Sequence, residues 1–340
     1  MKIIYSESHR QHDPPFEFTG DRLTPYSERP ARAEAILRVL QERDYADVVA
    51  PQDYGLGPIR EAHDPDYLHF LEHIYAGWVA SGKLSTGVIP DTFAVRGMGG
   101  RPKDLLKQDG YYCFDAQTPI VAGTYRAALS SAHCALTGAS LLLFGEPAAY
   151  ALCRPPGHHA GRSLYGGYCY LNNAAVAAAC LVREGRVAAL DVDYHHGNGT
   201  QDIFYASDRV LFASIHADPN RAYPFFSGSA EERGTGPGEG FNHNFPLPAR
   251  TDEAAYLATL GRAMEVIGRF GPRFLVVSAG VDTFQGDPLG DFDLSAEAFL
   301  RVGEGIAQAR LPTLFVQEGG YNVAEMGACV ANLLEGFEKA

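Results

Sequence analysis

From about Tyr150 to the C-terminus, short apolar runs alternate with segments of helix length. This alternation restricts the possible folds more than any other feature of the 340-residue chain. The runs at 149–153, 187–190, 210–215, 274–278 and 313–316 are continuously apolar, without alternating polarity. A strand apolar on both sides is one that is covered on both faces. Strands separated by helices pair in parallel, because each connection carries the chain back to the starting edge. The pattern predicts an α/β fold with a central, mostly parallel sheet flanked by helices on both faces. Ligands of such sheets bind beyond the carboxyl ends of the strands, and the polar clusters of this chain fall there.

Helix signals fit the same plan. Asp64-Pro65 opens a segment with Tyr67, Leu68, Leu71, Ile74, Tyr75 and Trp78 at helical spacing, ending at Gly82. Thr251 is the expected cap of a second helix, with Asp252 and Glu253 in its first turn and Gly271 at its end. Ser295 is placed to open a third, with Glu297 near its start. The stretch 83–118 has no periodicity, and a loop of that length is a functional element, an assembly surface or disordered. Its aromatic end, Gly110-Tyr111-Tyr112-Cys113-Phe114, favours an ordered loop. Without repeats or linker-like tracts, residues 1–340 read as one domain.

Composition closes off several functions. With 46% hydrophobic and 20% charged residues, the chain can build a large core. A net charge of -13 argues against a nucleic-acid partner. It suits a cationic substrate, and an ordinary acidic surface accounts for it equally well. The N-terminus lacks the layout of a signal peptide, and no apolar run reaches the ~18 residues of a membrane helix. Six scattered cysteines without a Cys-x-x-Cys pair read as reduced, buried residues. The expectation is a cytoplasmic protein with neither a nucleic-acid nor a membrane partner.

The chemistry lies in four segments. Side chains alternate along a strand, so Asp191, Asp193 and His195 share one side of the run that begins at 187. Asp193 and His195, nearest the end, can meet one metal, while the deeper Asp191 can orient another group. The run at 274–278 leads to Gly280-Val281-Asp282, a third carboxylate. Two carboxylates, one imidazole and an open position make a catalytic zinc site, although Fe²⁺ or Mn²⁺ also suits carboxylate-rich ligation. His158 and His159 follow Arg154-Pro155-Pro156-Gly157, an irregular turn that can aim both imidazoles into one pocket as base and acid. Glu318-Gly319-Gly320-Tyr321 turns sharply after the run at 313–316, and its phenol can donate to a developing oxyanion. A core histidine, a polar strand end or a packing tyrosine would explain any one segment alone. Four together point to metal-assisted hydrolysis.

In this order, with Gly166-Gly167-Tyr168-Cys169-Tyr170-Leu171-Asn172-Asn173 and Asn198-Gly199-Thr200, the segments resemble the histone deacetylase superfamily, closest to its bacterial acetylpolyamine amidohydrolases. The resemblance implies an arginase-like α/β fold and Zn²⁺ on Asp193, His195 and Asp282. It implies that His159 acts as general base and then acid, that His158 is its electrostatic partner, and that Tyr321 polarises the acyl carbonyl. Asp191 would bond His158 and, with Ser214 after its own strand, hold a structural K⁺. Gly167, Tyr168 and Phe225 would line the channel, with His216 at its rim. Asn198, where many relatives have aspartate, would give His159 a neutral partner.

The N-terminal segment with Glu17 and the long loop also resemble the polyamine enzymes, in which the loop builds a homodimer and narrows the channel. The matching loop positions here are the uncharged Leu106 and Gln117, with Asp104, Asp109 and Asp115 nearby. The expected substrate is therefore a small acetylated amine such as acetylputrescine or acetylcadaverine. A protein acetyl-lysine deacetylase is the alternative, and a binding protein without turnover is the third reading. Gly234-Thr235-Gly236-Pro237-Gly238 lacks the preceding strand of a nucleotide site and reads as a loop.

Overall fold

The computed structural model describes residues 1–340 except Asp21, Asp44 and Ala46. The N-terminal part, to Leu143, contributes β1 (Lys2–Ile4), the antiparallel pair β2 (Phe16–Thr19) and β3 (Arg22–Pro25), α1 (Ala31–Glu42), β4 (Val48–Val49), α2 (Pro65–Ala80) and α3 (Thr124–Leu143). Then come β5 (Ala148–Ala151), α4 (Asn173–Leu181), β6 (Val187–Asp191), α5 (Asn198–Phe204), β7 (Val210–Ala217) and β8 (Asn242–Leu247). The chain ends with α6 (Glu253–Phe270), β9 (Phe274–Ala279), α7 (Ala298–Ala307), β10 (Thr313–Gln317) and α8 (Met326–Lys339). Eight strands pair in the order β4-β1-β5-β10-β9-β6-β7-β8, every neighbour parallel.

The two faces of the sheet explain the continuous apolar runs. Ala188, Leu190, Val277 and Phe315 pack on one side with residues of α1, α6, α7 and α8. Val187, Ala189, Val276 and Val316 pack on the other with α3 and α4. Successive residues thus enter different cores, and neither side tolerates a charge until the strands end. At that end Asp191 is level with Ser214 of β7 and Ser278 of β9. The loops leaving β5, β6, β9 and β10, all parallel and adjacent or nearly so, therefore open at one end of the sheet. That is what brings the four polar segments together.

Local details depart from expectation in a few places. Asp252 rather than Thr251 caps α6: its carboxylate accepts from the Ala255 amide at 2.9 Å, while the Thr251 hydroxyl donates to the Pro248 carbonyl. Gly271 closes the helix in the left-handed region at φ 65°, as its position suggested. The β8 strand has polar residues at Asn242, His243 and Asn244, and β1 is only three residues long, so neither has an apolar signature. Ser214 lies inside β7, not beyond it. The stretch 83–118 contains one short 3-10 turn at Leu105–Lys107 that Asp104 caps. No helix among the described residues is long and apolar enough to cross a membrane.

Candidate metal and acyl-transfer site

β6 ends at Asp191, and the chain then bends through 193–195, with the Asp193 amide donating to Asp191 at 3.1 Å; the turn after β9 brings in Asp282. One ligand atom from each of Asp193, His195 and Asp282 lies within 4.8 Å of the others. Backbone amides hold the carboxylates in place. Asp193 accepts from His195 at 2.8 Å and from Gly319 at 2.7 Å, and Asp282 accepts from Tyr194 at 2.8 Å. Both carboxylates are fully buried. Burial, and then the charge of Asp193, push Asp282 above the usual carboxylate range. A cation between them would remove that repulsion, so the donor set fits a divalent metal.

Gly280 makes the approach possible. A Cβ on it would overlap the Asp193 carboxylate, so Gly280→Ala should cost about 10- to 100-fold in metal affinity, the range seen when a ligand's supporting contact is lost. Metal content after dialysis against a graded chelator series tests this, and a variant that retains metal like the parent would contradict it.

A second cluster, His158, Cys169 and Glu318, is closed by its own bonds. Glu318 accepts from the amides of Gly157 at 2.6 Å and His158 at 3.0 Å, which fixes the turn carrying the histidine pair. His158 Nδ1 meets Asp191 at 3.0 Å, and its Nε2 is 3.8 Å from Asp193. Burial pulls His158 down, yet the Asp193 and Asp191 carboxylates push it up to about 10. His159 is the opposite case. Burial, and then the charges of His158 and His195, hold it well below the usual histidine range. Its Nδ1 donates to Asn198 Oδ1 at 2.7 Å, which leaves the Nε2 lone pair free.

Tyr321 is held by its own amide, which donates to Asp287 at 2.7 Å. The guanidinium of Arg32 lies 4.6 Å from its ring centroid and also donates to the carbonyls of Glu318 and Gly320. Burial raises the phenol well above its usual range, with Arg32 opposing, so it stays a neutral donor.

His159, His195 and Tyr321 open into a cleft of about 440 Å³, also lined by Glu17, Gln117, Gly167, Tyr168, Arg221, Tyr223 and Phe225. Gly167 sits at φ 56° with His159 where a Cβ would be, so only glycine fits. Tyr168 is buried and Phe225 is 52% exposed, as a wall and a lip. Glu17, only 2% exposed, accepts from Ser27 at 2.7 Å through one oxygen, and the Tyr168 hydroxyl lies beside the same carboxylate.

Three expectations need correction. His216 is not at a rim: it is fully buried behind the site, between Ser214 Oγ at 2.8 Å and the Gly228 carbonyl at 2.9 Å. Leu106 and Asp109 line a separate cavity within the long loop, not the cleft. Asp115 faces the protein, accepting from the Gly167 amide at 2.6 Å and the Tyr223 hydroxyl at 2.8 Å. Sequence reading had missed Tyr223, whose ring stands edge-on to His159 with centroids 5.0 Å apart. It had also given no role to Glu318, Asp287 or Arg32. The aromatic run Tyr223-Pro224-Phe225-Phe226 was the one available signal for the first of these.

A parallel sheet of this order, carrying an open carboxylate–imidazole cluster and a histidine pair beyond its strand ends, defines an arginase-like α/β hydrolase. A histone deacetylase domain model matches residues 26–337, and the chain belongs to that family. It is similar to acetylpolyamine amidohydrolase 1 of Pseudomonas aeruginosa, at 47% identity over 100% of this chain and 99% of the relative. It is also similar to the acetylpolyamine amidohydrolase of Mycoplana ramosa, at 46% identity over 99% of each. The crystal structure of acetylpolyamine aminohydrolase from Burkholderia pseudomallei superposes with a TM-score of 0.95 at 39% identity, covering 99% of this chain and 98% of that one.

Proposed function

We propose that the chain is one zinc-dependent deacetylase domain that removes acetyl groups from small acetylated diamines or polyamines and releases acetate. That it is a hydrolase acting on amides follows from the family and its amidohydrolase relatives. The observation carrying the substrate reading is the cleft itself: it joins the base, the phenol and the Glu17 carboxylate within about 440 Å³. Such a volume suits a slender amide with an ammonium group at its far end.

Asp193, His195 and Asp282 would hold Zn²⁺, with Fe²⁺ as the other candidate. The metal, when bound, supplies a Lewis acid for the amide carbonyl and acidifies water. His159 takes a proton from the attacking water through its free Nε2, while Asn198 keeps the other nitrogen protonated. Tyr321 donates to the carbonyl oxygen as it becomes an oxyanion. His159 then returns the proton to the leaving amine, and the C–N bond breaks to give amine and acetate. His158, bonded to Asp191, holds positive charge beside this exchange. Tyr168, Gly167 and Phe225 confine the chain, and Glu17 receives its cation. Asp191 and Ser214, level on neighbouring strands, would hold a structural K⁺.

The loop at 83–118 presents Leu84, Val95 and Met98 to solvent, at 78%, 60% and 55% exposure. Apolar side chains so placed support a homodimer through this loop. Six free cysteines, five of them buried, suit a cytoplasmic protein.

The test is acetate release by zinc-reconstituted protein from acetylputrescine, acetylcadaverine, acetylspermidine and an acetyl-lysine peptide. Acetylated diamines should be turned over at least tenfold faster than acetylspermidine, since Gln117, the loop residue that lines the cleft, offers no charge to a second ammonium. Preference for the peptide would mean a protein deacetylase instead.

A further inference from the structure

The cleft has charges of both signs, on different segments. The hairpin β2–β3 brings Glu17, a buried carboxylate of the cleft lining that accepts from Ser27. The segment after β7 brings Arg221 to the same cleft. This segment is a built wall rather than a loose tip. The amides of Arg221 and Ala222 donate to the Asp218 carbonyl at 2.9 and 3.0 Å, and that of Phe225 donates to Ala222 at 3.1 Å. Two residues beyond Arg221, the Tyr223 ring packs against both His159 and His195. The Arg221 side chain is exposed, and no carboxylate among the described residues lies within ion-pair distance of its guanidinium. Its field reaches Asp218 and Tyr194, and Asp291 accepts from the Tyr194 hydroxyl at 2.8 Å.

A simple acetylated diamine uses Glu17 and leaves Arg221 idle, or is repelled by it on entry. A molecule that uses both has an ammonium and a carboxylate on the end distant from the amide. We propose that Arg221 is a specificity-determining residue, and that the cleft accepts free diamino acids acetylated on the side-chain nitrogen. The ammonium is bound at Glu17, and the carboxylate is bound by the guanidinium in the two-pronged geometry that arginine offers. This rests on the deacetylase reading above and specifies its substrate. The reaction is unchanged: water adds to the acetyl carbon, the C–N bond breaks, and the side-chain amine leaves with a proton.

Two matched pairs isolate the carboxylate. Nε-acetyl-lysine is acetylcadaverine plus one α-carboxylate, and Nδ-acetyl-ornithine is acetylputrescine plus the same group. With zinc-reconstituted protein, the ratio of kcat/KM within each pair is the readout. Arg221→Ala should lower the amino acid-to-diamine ratio about three- to tenfold, mostly through KM, as for a partly screened ion pair. Arg221→Glu should lower it further, and Arg221→Lys should keep most of it. Calorimetric binding of the products, lysine against cadaverine, should shift in the same direction without turnover. Ratios that stay within twofold in both Arg221→Ala and Arg221→Glu, while the diamines are still hydrolysed, overturn the assignment and leave the deacetylase reading standing. Failure of the parent protein to hydrolyse any of the four amides overturns both.

Discussion

Replacing His159 by glutamine should lower kcat by about 10²- to 10⁴-fold, the range for a positioned general base and acid. The side chain of glutamine fills much the same space, so metal content and thermal stability should match the parent. The argument is geometric. His159 has one nitrogen committed to Asn198 and the other free toward the cleft. Its neighbour His158 is committed to Asp191 and sits close to Asp193. Burial and the adjacent charges keep His159 neutral and ready to accept a proton. His158, between two carboxylates, cannot serve as a base in the same way. Single-turnover acetate release on acetylcadaverine, with metal content measured on the same sample, checks this. A kcat within tenfold of the parent would move the base elsewhere.

Tyr321→Phe should lower kcat by about 10²- to 10³-fold, equivalent to about 2.7–4 kcal/mol of transition-state stabilisation, with KM little changed. The hydroxyl is the only part of the residue removed. The ring stays under Arg32, and its amide stays on Asp287. The loss therefore reports the oxyanion contact and not a collapsed turn. A variant that loses activity through KM alone would make Tyr321 a binding residue, and an unchanged kcat would remove it from the mechanism.

The two variants differ in what they reveal about the site. His159 acts on the attacking water and the leaving amine, while Tyr321 acts on the charge that builds between these events. Their effects should not simply add, because each works on a transition state that the other has already weakened.

Much of this was legible in the chain because the residues are close in sequence and strand geometry is simple. Parity puts Asp191, Asp193 and His195 on one side of an extended strand; β6 ends at Asp191 and the chain bends through 193–195, and the structure brings Asp193 and His195 together with Asp282. The five apolar runs mark β5, β6, β7, β9 and β10 to within a residue or two, because burial on both faces removes every polar option. The missed strands lack that constraint. Polar Asn242, His243 and Asn244 in the edge strand β8, and the three residues of β1, show no such run. The resemblance to a known family then supplied roles that spacing could not, Asn198 among them.

Direction and partner are different matters. Asp115 and Glu17 are both acidic residues near aromatic ones in sequence, yet Asp115 is bonded to Gly167 and Tyr223 while Glu17 lines the cleft with one oxygen on Ser27. His216 ends inside the protein with both nitrogens bonded, and Leu106 faces another cavity. Arg221 shares a wall with Tyr223 and a cleft with Glu17, some 200 residues away in the chain. The amino-acid sequence by itself determined five of the sheet's eight strands and the chemical groups gathered beyond their ends, since local periodicity and burial act over a few residues. Which of those groups face the cleft, and which are spent on holding its walls, was decided only by the tertiary structure. A side chain's hydrogen-bond partner is set by whatever distant segment packs against it, and no local pattern encodes that.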